Sequence, residues 1–344
     1  MAKKSKNKRN VTQKDVADAM GVSTMTISRA LNDRSNVDKK TRELVLKTAR
    51  EMGYTPNHVA KSLVSSRTYT IGVVIPEISH SFFPEVVRGI DDVAKDFDYQ
   101  IFLTNTSDDF EKEKGIIRAL ESKQVDGILV SSSLKTEDFQ YYENLVQSGL
   151  SIVFFDRGIR DLGISCIGVN DRIASRQITQ HLINHGYKKI GYLSGPRKVS
   201  IGKERFDGFI DALETNGIDI REELIVENGF NEEGGKKAMN KILSLPKSDQ
   251  PEAIVAVNDP VAFGAIEAIY EEGLKIPDDI AIVGFTNDIR AELYSPPLTT
   301  IHQPAYDVGK KAATKMINTI ENDDEPVENI ELISKLVVRK SCGC

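Results

Sequence analysis

From Tyr69 onward, runs of β-branched and other apolar residues alternate with stretches of helical periodicity, and that alternation restricts the body of the chain to one fold class. The strand-like runs are TIGVVIP, QIFLTN, VDGILVSSS, SIVFFD, KKIGYLSG, ELIVENGF, AIVAVND and IAIVGFTN. Between the first two, Phe83, Val86, Val87, Ile90, Val93 and Phe97 recur at helical spacing. Near-continuous apolar strands separated by helices predict parallel sheets covered on both faces. About 270 residues of this pattern exceed one comfortable core, because single cores stop growing near 250–300 residues. The expected body is therefore α/β, with two lobes and a cleft between them.

In such folds ligands bind outside the carboxyl ends of the strands. The polar residues closing the runs are Ser131 to Ser133 after GILV, Asp156 and Arg157 after IVFF, Asn258 and Asp259 after IVAV, and Thr286 and Asn287 after IVGF. They converge where a polar ligand would sit. Asp and Asn also cap following helices, so for each of them a purely structural role stays open.

The first part of the chain has another texture. Residues 1–67 hold 15 Lys+Arg against 6 Asp+Glu, a balance of +9, whereas the whole chain carries −6 and the remainder therefore −15. A basic head on an acidic body suits contact between one end and a polyanion. Thr12 with Asp15 forms a capping-box pattern, followed by Val16, Ala17 and Met20 at helical spacing and a turn at Gly21. Ser23 caps a second helix whose Ile27, Ala30 and Leu31 share an inward face, leaving Met25, Ser28, Arg29 and Asn32 outward. A third helix from Asp38 carries Val45, Ala49 and Met52 before Gly53. This order is a helix-turn-helix, whose second helix enters the DNA major groove. A bundle without a DNA role would share the periodicity, but not the outward Arg29 and the basic balance. After Pro56, the short stretch Asn57 to Val64 is marginal as an isolated helix and forms only with tertiary or DNA support.

Here a family resemblance becomes specific. VTQKDVADAMGVSTMTISRALN and VDKKTRELVLKTAREMGYTPNHVAKSL resemble the head of the lactose-repressor (LacI/GalR) family of bacterial transcriptional regulators. SFFPEVVRGI, VFFDRGI, HLINHGYKKIGYLSGP, KERFDGF, AVNDPVAFGAIEAI and SPPLTTIHQP extend the resemblance over the body, which in that family is similar to periplasmic sugar-binding proteins. The resemblance implies a helix-turn-helix domain over 1–56, a hinge helix and linker over 57–68, and a two-lobed effector-binding and dimerisation domain over 69–344. It places Thr24, Met25 and Arg29 at base-reading positions and Thr12, Thr26, Ser28, Asn32 and Thr41 on phosphates, which position but do not specify. Asn57, Ala60 and Leu63 fall in the hinge, where Leu63 and Ala60 match the minor-groove positions and such wedges bend the duplex.

In the body, the resemblance implies effector contacts from Phe82, Phe83, Ser131, Asp156, Arg205, Phe230, Asn258 and Thr286. Arg205 matches a cleft arginine whose forked guanidinium grips a hydroxyl or carboxylate; the alternative is a surface ion pair with Glu204 or another neighbour. Thr286 departs from the pattern, since many members have aspartate directly after GF, and less negative charge in the cleft is the expectation. With five residues after Arg339 there is no heptad tail, so a homodimer on a pseudo-palindromic operator is expected.

Other classes fit less well. His181 and His185 stand at i, i+4, but no Glu follows His181 as a zinc-protease motif requires, and a wet surface helix explains the pair. No GxxxxGK[ST] run is present. Cys342 and Cys344 read as exposed thiols at a frayed end, so neither a metal nor a cofactor is expected, and no enzyme. A sugar-transport component would share the body but carry a signal peptide and no basic head. A body that docks a protein coregulator, with no small ligand, is opposed by the polar strand ends. No run approaches the ~20 apolar residues of a membrane helix, so a cytoplasmic protein, nucleoid-associated when on DNA and without membrane contact, is expected.

Overall fold

The structure is a computed structural model; it describes residues 11–31, 37–54, 67–79, 81–134, 139–158, 162–322 and 324–344. Asn32 and the hinge positions Asn57, Ala60 and Leu63 lie outside the described residues. Two compact units divide at Thr68 and Tyr69.

The first unit holds three helices, α1 (Gln13–Met20), α2 (Thr24–Leu31) and α3 (Lys39–Met52). Each begins on a side-chain cap. Thr12 and Asp15 form the reciprocal capping box, the Ser23 hydroxyl accepts from the Thr26 N–H at 3.1 Å, and Asp38 accepts from the Thr41 N–H at 3.0 Å. Caps of this kind satisfy N–H groups that the helix itself leaves unpaired. Gly21, at φ +65°, closes α1 in the left-handed conformation that glycine adopts without strain. Val16, Ala17, Ile27, Ala30, Val45 and Ala49 are buried together as the core.

The second unit contains two parallel sheets. Strands β1 (Thr70–Ile75), β2 (Gln100–Asn105), β3 (Gly127–Val130), β4 (Ile152–Phe155) and β5 (Cys166–Val169) precede β6 (Ile190–Ser194), β7 (Ile225–Glu227), β8 (Ala253–Ala256) and β9 (Ala281–Val283). Near the end come β10 (Thr300–His302), β11 (Asn329–Leu332) and β12 (Lys335–Val337). The first lobe has the order β11-β5-β4-β3-β1-β2 and the second β7-β6-β8-β9. Strands β10 and β12 form an antiparallel pair.

Both faces of each sheet are covered, as continuous apolar strands require. In the first lobe Val73 and Ile75 meet helices Phe82–Asp96 and Ala305–Glu321. Val74 and Val130, on the opposite face, meet helices Phe110–Ser122 and Phe139–Gln147. In the second lobe Leu193 and Ile254 pack under helices Glu232–Leu243 and Asp259–Glu271, and Tyr192 and Val255 under Asp171–Asn184 and Ser200–Thr215. The chain passes between lobes three times: after β5, after β10, and between β11 and β12. The expected frayed terminus is not observed. Ser341 and Cys342 are fully buried, because the Ser341 hydroxyl donates to the Ile282 carbonyl at 2.6 Å and ties the tail to the sheet.

Helices Phe82–Asp96 and Ala305–Glu321 cross through glycines on both sides. A Cβ at Gly89 would stand 2.1 Å from the Tyr306 carbonyl oxygen, and one at Gly309 2.0 Å from that of Val86. Backbone cannot yield as a side-chain tip does, so Gly309→Ala should destabilise the body by about 1–3 kcal/mol through overpacking. Denaturant unfolding of wild type and variant measures this, and equal midpoints would contradict it.

Candidate functional site

In the head, burying Ile27 and Ala30 turns the other side of α2 outward. Thr24, Met25 and Arg29 are exposed, Met25 at 60%. A single exposed apolar side chain is ordinary on a protein surface, so Met25 marks this face only together with Arg29 beside it. The proposed phosphate contacts sit at helix starts and along α2. Thr12 is exposed, but its hydroxyl donates to Asp15 at 2.7 Å. The Thr41 hydroxyl donates to Asp38 at 2.6 Å, and that of Thr26 shares a 2.9 Å contact with Ser23. These hydroxyls hold the helix termini in shape; Ser28 is half-buried on α2.

In the body, a cleft of about 360 Å³ opens between the lobes at the carboxyl ends of the strands. Phe82, Phe83, Asp156, Arg205, Phe230, Asn258 and Thr286 all line it. Ser131 does not: it is fully buried, and its hydroxyl has no partner among the described residues.

Arg205 is 3% exposed. Its partner is Asp171, reached by Nε at 2.7 Å, so the pair is buried and not the surface pair of the alternative reading. Nη1 donates to the Val257 carbonyl at 2.8 Å, and the guanidinium carbon stands 3.9 Å from the centroid of the Phe285 ring. With the fork fixed on one side and stacked below, its orientation is set before any ligand arrives. Burial raises the Asp171 pKa, and Arg205 opposes the rise.

Asp156 faces Arg205 from the other lobe. Burial pushes its carboxyl up to about 6, against the charges of Arg157 and Arg205. Its backbone is left-handed, at φ 58°, as are Ser107 and Asp108 after β2 and Asn287 after β9. Non-glycine residues held in that region carry strain that concentrates at functional sites. Asn258 is engaged at both ends of its amide, accepting from the Val261 N–H at 2.9 Å and donating to the Phe230 carbonyl at 2.8 Å. It caps a helix and holds the loop that carries Phe230.

Several lining residues lay beyond the sequence reading. Arg157, noted only as closing a strand, donates to Asp108 at 2.5 Å and lies 4.9 Å from the centre of the Phe230 ring, across the cleft. Asp288 accepts from the Ser81 hydroxyl of the first lobe at 3.0 Å. Burial would raise its pKa, but bonds from Arg290 and Ser81 win and lower it. Glu77, Asp108, Asp156 and Asp288 thus line the cleft with Arg157 and Arg205, so Thr286 does not leave it short of negative charge. Aspartates in loops look like ordinary turn residues, and the partners of Asp108 and Asp288 are distant in sequence.

A three-helix head presenting one helix face, joined in sequence to a two-lobed body with a charged interlobe cleft, defines a DNA-binding transcriptional regulator rather than an enzyme. Comparison with known proteins agrees. Residues 12–57 match the model of bacterial regulatory proteins of the lacI family, and residues 68–340 that of periplasmic binding proteins and the sugar-binding domain of the LacI family. The chain is 36% identical to the transcriptional repressor PurR of Mannheimia succiniciproducens, over 96% of this chain and 98% of that one. It is 34% identical to the ribose operon repressor of Halalkalibacterium halodurans, over 96% of each. The lac repressor dimer bound to operator and the anti-inducer ONPF superposes with a TM-score of 0.86 at 27% identity, over 97% of this chain and 99% of that one. The chain belongs to the LacI family. Among the described residues no helix is long and apolar enough to cross a membrane.

The raised Asp156 pKa has a consequence for stability. An unfolded aspartate ionises near pH 3.8 and the folded one near 6, so between these values the unfolded state loses its proton first and the fold loses stability as pH rises. Asp156→Asn removes this. Its stability relative to wild type should improve between pH 4 and 7 by about 1–2 kcal/mol, a figure reduced for solvent in the cleft. Thermal melts across that range test it; a constant difference would contradict it.

Proposed function

We propose that the chain is a repressor that binds a pseudo-palindromic operator as a homodimer and releases or tightens on it when a sugar or sugar derivative occupies the interlobe cleft. The single observation that carries the effector half is that Asp156 from one lobe and the oriented Arg205 of the other line one cleft with Phe82, Phe83 and Phe230. Carboxylates and a guanidinium fork suit hydroxyl groups, and aromatic walls suit the apolar faces of a sugar ring. The volume is at the lower end of small-molecule sites, which run to roughly 300–1,000 Å³. A neighbour by structure, the regulator CelR, was solved as a cellobiose complex, with a TM-score of 0.74 and 26% identity over 96% of this chain.

On DNA, Thr24, Met25 and Arg29 read bases, Met25 through an apolar contact, while Thr12, Thr26, Ser28, Asn32 and Thr41 position the head on phosphates. Segment 1–56 is the DNA-binding domain, 57–68 with Asn57, Ala60 and Leu63 the hinge, and 69–344 the effector and dimerisation domain. Support for the dimer comes from β2, an edge strand with Phe102 45% and Leu103 47% exposed, since an open apolar edge is a pairing surface. A cytoplasmic protein, at the nucleoid when operator-bound, follows from that role.

Selection of bound sequences from a random DNA pool should yield a palindrome, and Arg29→Ala should lose about 1–3 kcal/mol of discrimination at one base pair per half-site. Unchanged preference would remove Arg29 from base reading. For the effector, sugars, sugar phosphates and nucleosides are screened by thermal shift. Arg205→Lys keeps a charge for Asp171 but loses the fork, so the affinity of hits should weaken roughly ten-fold or more, measured by direct binding on the folded variant so that the lost Val257 and Phe285 contacts do not enter. Affinity for a hydroxyl-bearing hit should also fall as pH drops through about 6, where protonated Asp156 loses acceptor capacity. If no compound stabilises the wild type, the body reads something other than a small ligand.

A further inference from the structure

Far along the second lobe from the cleft residues of helix Asp171–Asn184, the chain end brings three ligand atoms together. Beyond β12 the tail is held at Ser341 by Ile282 and Thr299. Tyr187 donates its hydroxyl to the Cys342 carbonyl at 3.1 Å, and Thr299 Oγ1 lies 3.0 Å from Cys342 Sγ. Gly343, at φ +84°, then turns the chain back, and a Cβ there would stand 2.8 Å from the Tyr187 hydroxyl oxygen. The turn brings Cys344 Sγ to 2.8 Å from Cys342 Sγ. Opposite them, on the last turns of helix Asp171–Asn184, His181 Nε2 lies 3.5 Å from Cys342 Sγ and 3.3 Å from Cys344 Sγ.

Thiols are weak hydrogen-bond donors and weaker acceptors, so this trio does little for itself. As ligands the same atoms are well matched. Two thiolates and an imidazole are the donors that select zinc-class ions, and neither calcium nor magnesium favours them. With Zn–S near 2.3 Å and Zn–N near 2.0–2.1 Å, a tetrahedral ion holds its ligand atoms about 3.6–3.8 Å apart. The two imidazole–sulfur separations already fall within about 0.3 Å of that figure, and the sulfurs must part by about 1 Å. Cys344 is exposed at the chain end and is the ligand with room to move. His181 and the two cysteines are the one group of this kind among the described residues. The His185 ring, one turn on, lies tilted by 53° against the His181 ring at 4.4 Å between centroids, and its Nδ1 lies 2.8 Å from the His181 carbonyl oxygen. That contact fixes the end of the helix that carries the ligand.

We propose that His181, Cys342 and Cys344 form a binding site for a zinc-class transition-metal ion. The fourth position is open to water. Binding replaces two S–H protons by two metal–thiolate bonds, and both protons pass to solvent. The ion staples the last residue of the tail to helix Asp171–Asn184, the helix whose first residue holds Arg205.

The test uses the full-length protein, reduced with a phosphine, and Co²⁺ as a coloured stand-in for Zn²⁺. One equivalent should produce a thiolate-to-cobalt charge-transfer band and tetrahedral d–d bands, and Zn²⁺ should abolish both. Cys344→Ser and His181→Gln should each lower affinity more than about 100-fold, beyond the 10–100-fold typical of losing a supporting partner. The melting points of the metal-free variants should stay at the wild-type value. Cys342→Ser, at a buried position, is not needed for the decision. Absence of a charge-transfer band overturns the proposal, as does a band of unchanged affinity in both variants. A wild type that isolates as a Cys342–Cys344 disulfide resistant to the phosphine overturns it as well.

Discussion

Parallel strands cannot be joined by tight turns, because each connection must travel back the full length of the sheet and usually does so as a helix. In this chain that constraint decides where chemistry happens. Every connecting helix leaves from a carboxyl end, so Asp108 and Asp156 are delivered to the rim of the first lobe by β2 and β4, and Asn258 and Thr286 to that of the second by β8 and β9. Two such rims facing each other produce a cleft whose charges come from both lobes. The strained backbone at Asp156 and Asn287 follows strands β4 and β9, which are buried throughout and hold it in place, whereas Asp108 follows the exposed edge strand β2 and is held by its bond from Arg157.

Electrostatics then sets how the cleft is used. Arg205 is nearly inaccessible, and Asp171, the Val257 carbonyl and the Phe285 ring take the place of its water. A buried pair of this kind contributes modest net stability, since desolvation offsets most of the attraction. What it provides is a fixed direction for the remaining N–H groups. Asp156, without a comparable partner, keeps a raised pKa and is the softer half of the arrangement.

The eight apolar runs of the sequence are β1 to β4 and β6 to β9; continuous burial leaves an unmistakable pattern in all but the edge strands β2 and β7, which are partly exposed. The four strands that escaped are short. Cys166–Val169 is interrupted by glycine, Asn329–Leu332 alternates polar and apolar residues, and β10 and β12 have three residues each. Their strand character comes from neighbours rather than from composition. Strand ends such as Asp156 and Asn258 were legible as candidates for the same reason that the strands were, and Arg205, on a helix, only through the family resemblance of its motif. Asp108, Asp288 and the true partner of Arg205 were not, because each depends on a residue far away in the chain. The burial of Cys342 was hidden by its position, since chain ends ordinarily lack the hydrogen bonds that Ser341 supplies here.

The three passages between lobes have a consequence for how the protein is made. Met316 and Ile317 complete the core of the first lobe against Ile71 and Val73, and β11 seals the edge of its sheet beside β5. A ribosome releases those residues only after the whole second lobe has emerged. The second lobe in turn waits for β12 and Ser341. Neither lobe can finish folding until these late segments have emerged, so the usual order of N-terminal unit first stops at the head. The nascent body passes through a stage with two unsealed sheets, and both are closed by the same last forty residues of the chain.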